Sequence, residues 1–172
     1  DAVIQMLNKN RIKPVPLIAD ATTAPFAVYS NEYRIRIAPE EEGWEYKEQK
    51  DGIFYGYRGI GQAHYLGHVF LFSGAVARRY GKGRLRVELW NTENELNWTY
   101  VHVTVAGWRK GESWLDNDFL TELLKTLYRG IKEGNPSSFT TMNINIHDPD
   151  WEEDMVRWKE YMDIIGIGAY PN

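Results

Sequence analysis

The chain contains no cysteine, which excludes a disulfide framework, a thiolate nucleophile and any thiolate metal site. It holds no apolar run long enough to cross a membrane as a helix, and its mean hydropathy is −0.51. Basic charge is not in excess either. Twenty Lys and Arg face 24 Asp and Glu, for a formal net charge of −4, so no positive field is available to hold a nucleic-acid backbone. Neither nucleic acid nor a membrane is therefore an expected partner. Low-complexity tracts are absent, and Gly166-Ile-Gly168 lacks the third glycine of a dinucleotide fingerprint. What the chain does have is aromatic surface: 7 Trp, 11 Tyr and 6 Phe in 172 residues. Flat apolar rings that carry a polar handle suit sugar faces and ordinary packing alike.

Periodicity supplies the architecture. Asp1–Asn10 reads as the second half of a helix, with Val3, Met6 and Leu7 on one face. Ile12–Ala19 reads as a buried strand ending at Asp20, although Pro14 and Pro16 each remove a ladder donor. Residues 20 to about 60 form a long excursion with a hairpin signal at Lys50-Asp51-Gly52. Gln62–Tyr80 repeats as a helix stopped by Gly81-Lys-Gly83, and a strand follows over 84–91. A second long loop holds Trp98 and Trp108. Phe119, Leu120, Leu123, Leu124, Leu127 and Ile131 then form a strong helical stripe between Asp116-Asn-Asp118 and Gly134. Ser138–Ile146 alternates as a strand ending at His147-Asp148. Asp150 with Glu153 has the spacing of a capping box, and Trp151, Met155, Trp158 and Met162 follow at helical spacing. Asp163–Tyr170 reads as a short, fully buried strand. Helix and strand thus alternate four times, the pattern of a parallel sheet with right-handed crossovers.

Chemistry concentrates in Arg84–Trp98. The stretch opens on Val87, Leu89 and Trp90 and closes on Asn91, Glu93, Asn94, Glu95 and Asn97. An apolar strand ending in carboxylates and carboxamides is how an α/β barrel presents functional groups at the carboxyl end of its sheet. His64 and His68 stand four apart on a helix, a spacing that binds metal only with further ligands.

Trp90-Asn-Thr-Glu-Asn-Glu-Leu-Asn97 resembles the strand-four signature of the retaining glycoside hydrolases built on a TIM barrel. In that clan an Asn directly precedes the acid/base Glu, and Asn94-Glu95-Leu96-Asn97 matches the pattern. Asp163–Asn172 is similar to strand six of the same enzymes, with a Tyr at its tip. The resemblance implies an α/β fold of the (β/α)8 TIM-barrel type. Here it would be a partial barrel of about four β/α units, strands three to six, filling residues 1–172 as one catalytic domain. A chain that begins inside a helix and ends at a strand tip is expected to be part of something longer.

The resemblance carries the general acid/base role onto Glu95 and sugar-hydroxyl binding onto Asn94. Glu93 is the fallback carboxylate. Tyr170, His147, Trp98 and Asp20, at strand tips or in the following loops, are the further substrate-binding candidates, and Trp44 and Trp108 are alternative sugar platforms. Carbohydrate is the implied substrate, with no metal and no cofactor. A retaining glycosidase needs two carboxyl groups about 5–5.5 Å apart. The family's nucleophile is a Glu on strand seven, which this sequence does not include. The remainder of the barrel or a second copy of the chain would have to provide it. Two alternatives stay open: a non-catalytic carbohydrate-binding barrel, and a metal-dependent α/β hydrolase using His147 and Asp148.

Overall fold

The computed structural model describes residues 1–18, 34–36, 38–40, 42, 46–57, 62–98 and 115–168. Helix α1 (Ala2–Lys9) leads. Strands β1 (Arg34–Arg36), β2 (Tyr46–Lys50) and β3 (Ile53–Tyr57) form an antiparallel sheet in the order β1-β3-β2. The expected hairpin joins β2 to β3. Asp51 and Gly52 take φ of 54° and 76°, the paired positive values of a tight turn that matches strand twist.

The second half is the β/α alternation that the hydrophobic periods predict. It runs α2 (Gln62–Arg79), β4 (Leu89–Asn94), α3 (Asn117–Gly134), β5 (Phe139–Asn145), α4 (Trp151–Trp158) and β6 (Ile164–Gly168). The three strands are parallel, in the order β4-β5-β6. The strand expected over 12–19 is reduced, among the described residues, to one parallel bridge, Leu17 to Asn91. There the Ile18 N–H donates to Asn91 O, and the Asn91 N–H donates to Pro16 O. Pro14 and Pro16 have no N–H to extend that ladder.

One face of the parallel sheet carries the core. Met142 and Ile144 of β5 pack with Phe119, Leu120, Leu123, Leu124 and Leu127 of α3 and with Trp158 of α4. Trp90 packs with Ala77, Val87 and Ile131. Each fully buried Leu contributes about 1.5–3 kcal/mol, whereas an exposed pair such as Lys125–Glu122 contributes at most about 1 kcal/mol. The stripe on α3 therefore decides the fold. Its start is fixed by Asp116, whose Oδ1 accepts from the Asp118 and Phe119 N–H groups. Helices α2 and α3 meet through small residues, with Ser73 and Gly74 against Gly130 and Gly134. At the amino end of the sheet Asp163 ties three elements together. Burial pushes its carboxyl up, but the Lys132 ammonium and the Thr140 N–H and hydroxyl outweigh that and hold it below the usual range.

Three expectations need correction. The fourth strand begins at Leu89 rather than 84, because Gly83–Leu85 winds into a 3-10 turn, and it continues into the polar run. Asp150 stands at the N-cap of α4 without a side-chain cap bond, so the Asp150–Glu153 capping box does not form. Strand β6 is not fully buried. Ile164, Ile165 and Ile167 are 46%, 41% and 62% exposed, because no described element packs over them.

Two outcomes follow from the packing. A Cβ at Gly134 would run into the Gly74 carbonyl and lie 3.0 Å from Ala77 Cβ and Arg78 N. Gly134→Ala should therefore cost about 1–3 kcal/mol, read from the urea midpoint at unchanged slope. Asp154, on α4, is buried and paired with Arg157. Burial raises its carboxyl from 3.8 to about 6, with Arg157 opposing and Asp148, Asp150 and Glu153 reinforcing the rise. The folded state binds this proton more tightly than the unfolded chain does. Its contribution to stability is thus fully present below about 3.8 and is lost as pH rises through about 6. Asp154→Asn should remove about 2–3 kcal/mol of that decline, and parallel stability profiles for parent and variant would refute it.

Candidate active site at the carboxyl end of the parallel sheet

Paired residues of adjacent strands share a face, so the β4–β5 register decides what points where. Asn91 pairs with Thr141, but the next pair is Asn94 with Asn143. Two residues, Thr92 and Glu93, thus stand opposite Met142 alone, which is a bulge. Bulges re-aim side chains at functional edges. This one places Asn94 on the face of Asn91, Thr141 and Asn143, opposite the helices, and leaves Thr92 and Glu93 both buried. Thr92 Oγ1 fills the irregularity by donating to Thr141 O at 3.0 Å.

The chain then turns sharply at Glu95, whose φ is +49°. A left-handed Glu is uncommon and persists where its surroundings over-determine it. Its N–H donates to Asn143 O at 3.1 Å, and its carbonyl accepts from the Trp98 N–H at 2.9 Å, closing a single turn over Leu96–Trp98. Glu93 and Glu95 are 1% and 7% exposed. Glu93 Oε2 accepts from the Asn94 N–H at 3.1 Å. Two carboxyl groups are thus enclosed within three residues at the end of one strand.

The following loops converge on the same end. Trp98 stacks obliquely on His147, with ring centroids 6.1 Å apart and planes at 48°. The His147 N–H donates to Asn145 Oδ1 at 2.9 Å. Asn97 exchanges two bonds with the Asn145 backbone. Beside this turn lies a cavity of about 410 Å³ walled by Asn97, Leu120, Asp148, Asp154, Arg157 and Trp158.

Of the residues singled out in the sequence, Glu93, Asn94, Glu95, Trp98 and His147 come together at the carboxyl ends of β4 and β5. Glu93 and Glu95 are buried, Asn94 and Trp98 are half-buried, and His147 is exposed. Asp20, Tyr170, Trp44 and Trp108 lie outside the described residues. His68 is exposed on α2, and among the described residues no group of three or more His, Asp or Glu side chains is placed to hold a metal ion.

Sequence reasoning overlooked the carboxamides of β5. Asn143 Oδ1 accepts weakly from Asn91 Nδ2 at 3.4 Å. Asn91 Oδ1 and Asn145 Nδ2 are buried without a hydrogen-bond partner. Asn91 and Asn145 both stand on the face of the sheet turned away from the helices. The signal was available: Met142-Asn-Ile-Asn145 alternates apolar with carboxamide, which puts both Asn on one face.

No protein-family model matches the sequence, and no curated protein matches it. Among solved structures, a GH10 endoxylanase retrieved from a sugarcane soil metagenome aligns with a TM-score of 0.53 and 17% identity. The alignment covers 96% of this chain and 41% of that one. The β-galactosidase of Bacillus circulans sp. alkalophilus aligns at 0.57 and 17% identity, over 100% of this chain and 32% of that chain. A polyextremophilic β-galactosidase from the Antarctic haloarchaeon Halorubrum lacusprofundi aligns at 0.57 and 14% identity, over 99% and 32%. The chain thus spans about a third to two fifths of the length of these proteins. At such identities the likeness is one of fold: a mixed α/β arrangement with a three-stranded parallel sheet, consistent with part of a TIM barrel.

Proposed function

We propose that this chain is part of the catalytic barrel of a retaining glycosidase acting on a β-linked saccharide, with Glu95 as general acid/base. The observation that supports this most directly is the position of Glu95. It is a buried carboxyl in a left-handed turn at the carboxyl end of a parallel strand, in a fold shared with glycoside hydrolases over nearly the whole chain. Carboxyl ends of barrel strands are where this architecture carries its chemistry. Glu95 protonates the departing glycosidic oxygen and later takes a proton from water. Asn94, on the face turned away from the helices, binds a sugar hydroxyl. Trp98 and His147 form a ring wall for the saccharide, with Glu93, Asp20 and Tyr170 as further contacts.

Turnover and binding of β-linked oligosaccharides by the assembly that includes the opposing carboxylate, with that assembly as the parent, test this reading. Glu95→Gln should lower kcat by about 10²–10⁴-fold with binding retained. Undiminished turnover in the variant refutes the role. Binding without turnover in the parent selects a carbohydrate-binding barrel instead. Neither binding nor turnover overturns both.

The opposing carboxylate comes, in this reading, from further β/α units seated against β6. Its Ile165 and Ile167 share the helix-side face with Met142 and Ile144 and stand bare, and Ile164 is bare on the other face. A parallel strand exposed on both faces is an unusual end state. The remainder of the barrel is the natural cover, and a second copy would offer an equivalent edge. Sedimentation of the 172-residue chain should show concentration-dependent self-association that Ile165→Lys with Ile167→Lys abolishes. A strictly monomeric profile argues against these faces as contact surfaces.

A further inference from the structure

We propose that Asn97 is a positioning residue, whose carboxamide holds Glu95 in its left-handed conformation by clamping the backbone of Asn145; the proposal rests on the acid/base reading of Glu95. Strand β4 stops pairing through its own backbone at Glu95, where the N–H reaches Asn143 O and the chain leaves the sheet. Two residues on, the side chain of Asn97 takes over. Its Nδ2 donates to Asn145 O at 2.9 Å, and its Oδ1 accepts the Asn145 N–H at 3.0 Å. One carboxamide thus supplies the donor and the acceptor that a neighbouring strand's peptide groups would have supplied. The turn over Leu96–Trp98 is pinned to β5 at both ends, by Glu95 to Asn143 and by Asn97 to Asn145. Glu95 is itself the first of those two anchors.

The chemistry of the clamp is selective. Leucine fills the same volume with neither partner. Aspartate keeps an acceptor for the Asn145 N–H, offers no donor to Asn145 O, and brings a charge into a buried site. The clamp also reaches the facing loop, because Asn145 Oδ1 takes the N–H of His147. The Glu95 turn and the ring pair of Trp98 and His147 are therefore held by one residue of β5.

Amide hydrogen exchange on the intact chain reads the clamp without any substrate. In Asn97→Leu the amides of Glu95 and Trp98 should exchange about tenfold or more faster than in the parent, while Met142 and Ile144 keep their protection. Asn97→Asp should fall between the two. In turnover assays of the assembly that carries the opposing carboxylate, Asn97→Leu should lower kcat with KM near that of the parent. Unchanged exchange at Glu95 and Trp98 overturns the clamp, and acceleration that extends equally to Met142 and Ile144 overturns a positioning role in favour of general destabilisation. If Glu95→Gln leaves turnover intact, the acid/base reading fails and the exchange result still decides the clamp. If Glu95→Gln is inactive and Asn97→Leu keeps the parent's kcat, the positioning role alone fails.

Discussion

Parallel strands are stable when both faces are covered, and this requirement shapes the whole described structure. The helix-side face meets it through α3, whose Leu123, Leu124 and Leu127 close over Met142 and Ile144. The approach of α2 and α3 through Gly74, Gly130 and Gly134 brings that layer down onto the strands. The opposite face carries Asn91, Thr141, Asn143 and Asn94, a polar surface with apolar Leu17, Phe139 and Ile164 exposed around it.

The same covering rule separates the two ends of the sheet. At the amino end every described polar group of note is tied. Asp163 joins Lys132 and Thr140, and Asn135 and the Trp90 indole both donate to Ser138 Oγ. At the carboxyl end the backbone is bulged at Thr92 and Glu93 and left-handed at Glu95, and a side chain stands in for strand pairing at Asn97. Tied polar groups at one end and backbone strain at the other thus divide the described sheet.

Much of this was legible in the residues. Helix α3 could be placed because its apolar stripe keeps a 3.6-residue period between an Asp cap and a glycine stop. The hairpin could be placed because Asp51-Gly52 accepts two positive φ values. What periodicity cannot register is where a ladder starts. Val87 is buried and looks like a strand residue, yet pairing begins at Leu89, after Gly83 has turned the backbone. The bulge left no trace either, since Thr92 and Glu93 are ordinary polar residues whose burial follows from register alone. Ile164, Ile165 and Ile167 read as buried because an apolar run reports the environment a strand is suited to, not the neighbours it has. The site was legible in part. The Asn94-Glu95 pair stands out by its pattern, whereas Asn145 does not, because an Asn at a strand end is commonplace in loops.

The bulge and the left-handed turn are best understood as one device. Without the extra residue, Asn94 would share a face with Trp90 and point among the helices. The bulge resets the alternation so that Asn94 joins Asn143 on the other face. The turn at Glu95 then ends the strand before the alternation can bury the next residue among the helices. Each step has a cost that sequence-local preferences would avoid, and each is offset by bonds to β5: Thr92 to Thr141, Glu95 to Asn143, Asn97 to Asn145. Strand β5 is itself fixed by the Leu stripe of α3. The orientation of a carboxyl at the rim is thus set by apolar packing on the far side of the sheet, and it reaches Glu95 through four hydrogen bonds to one strand.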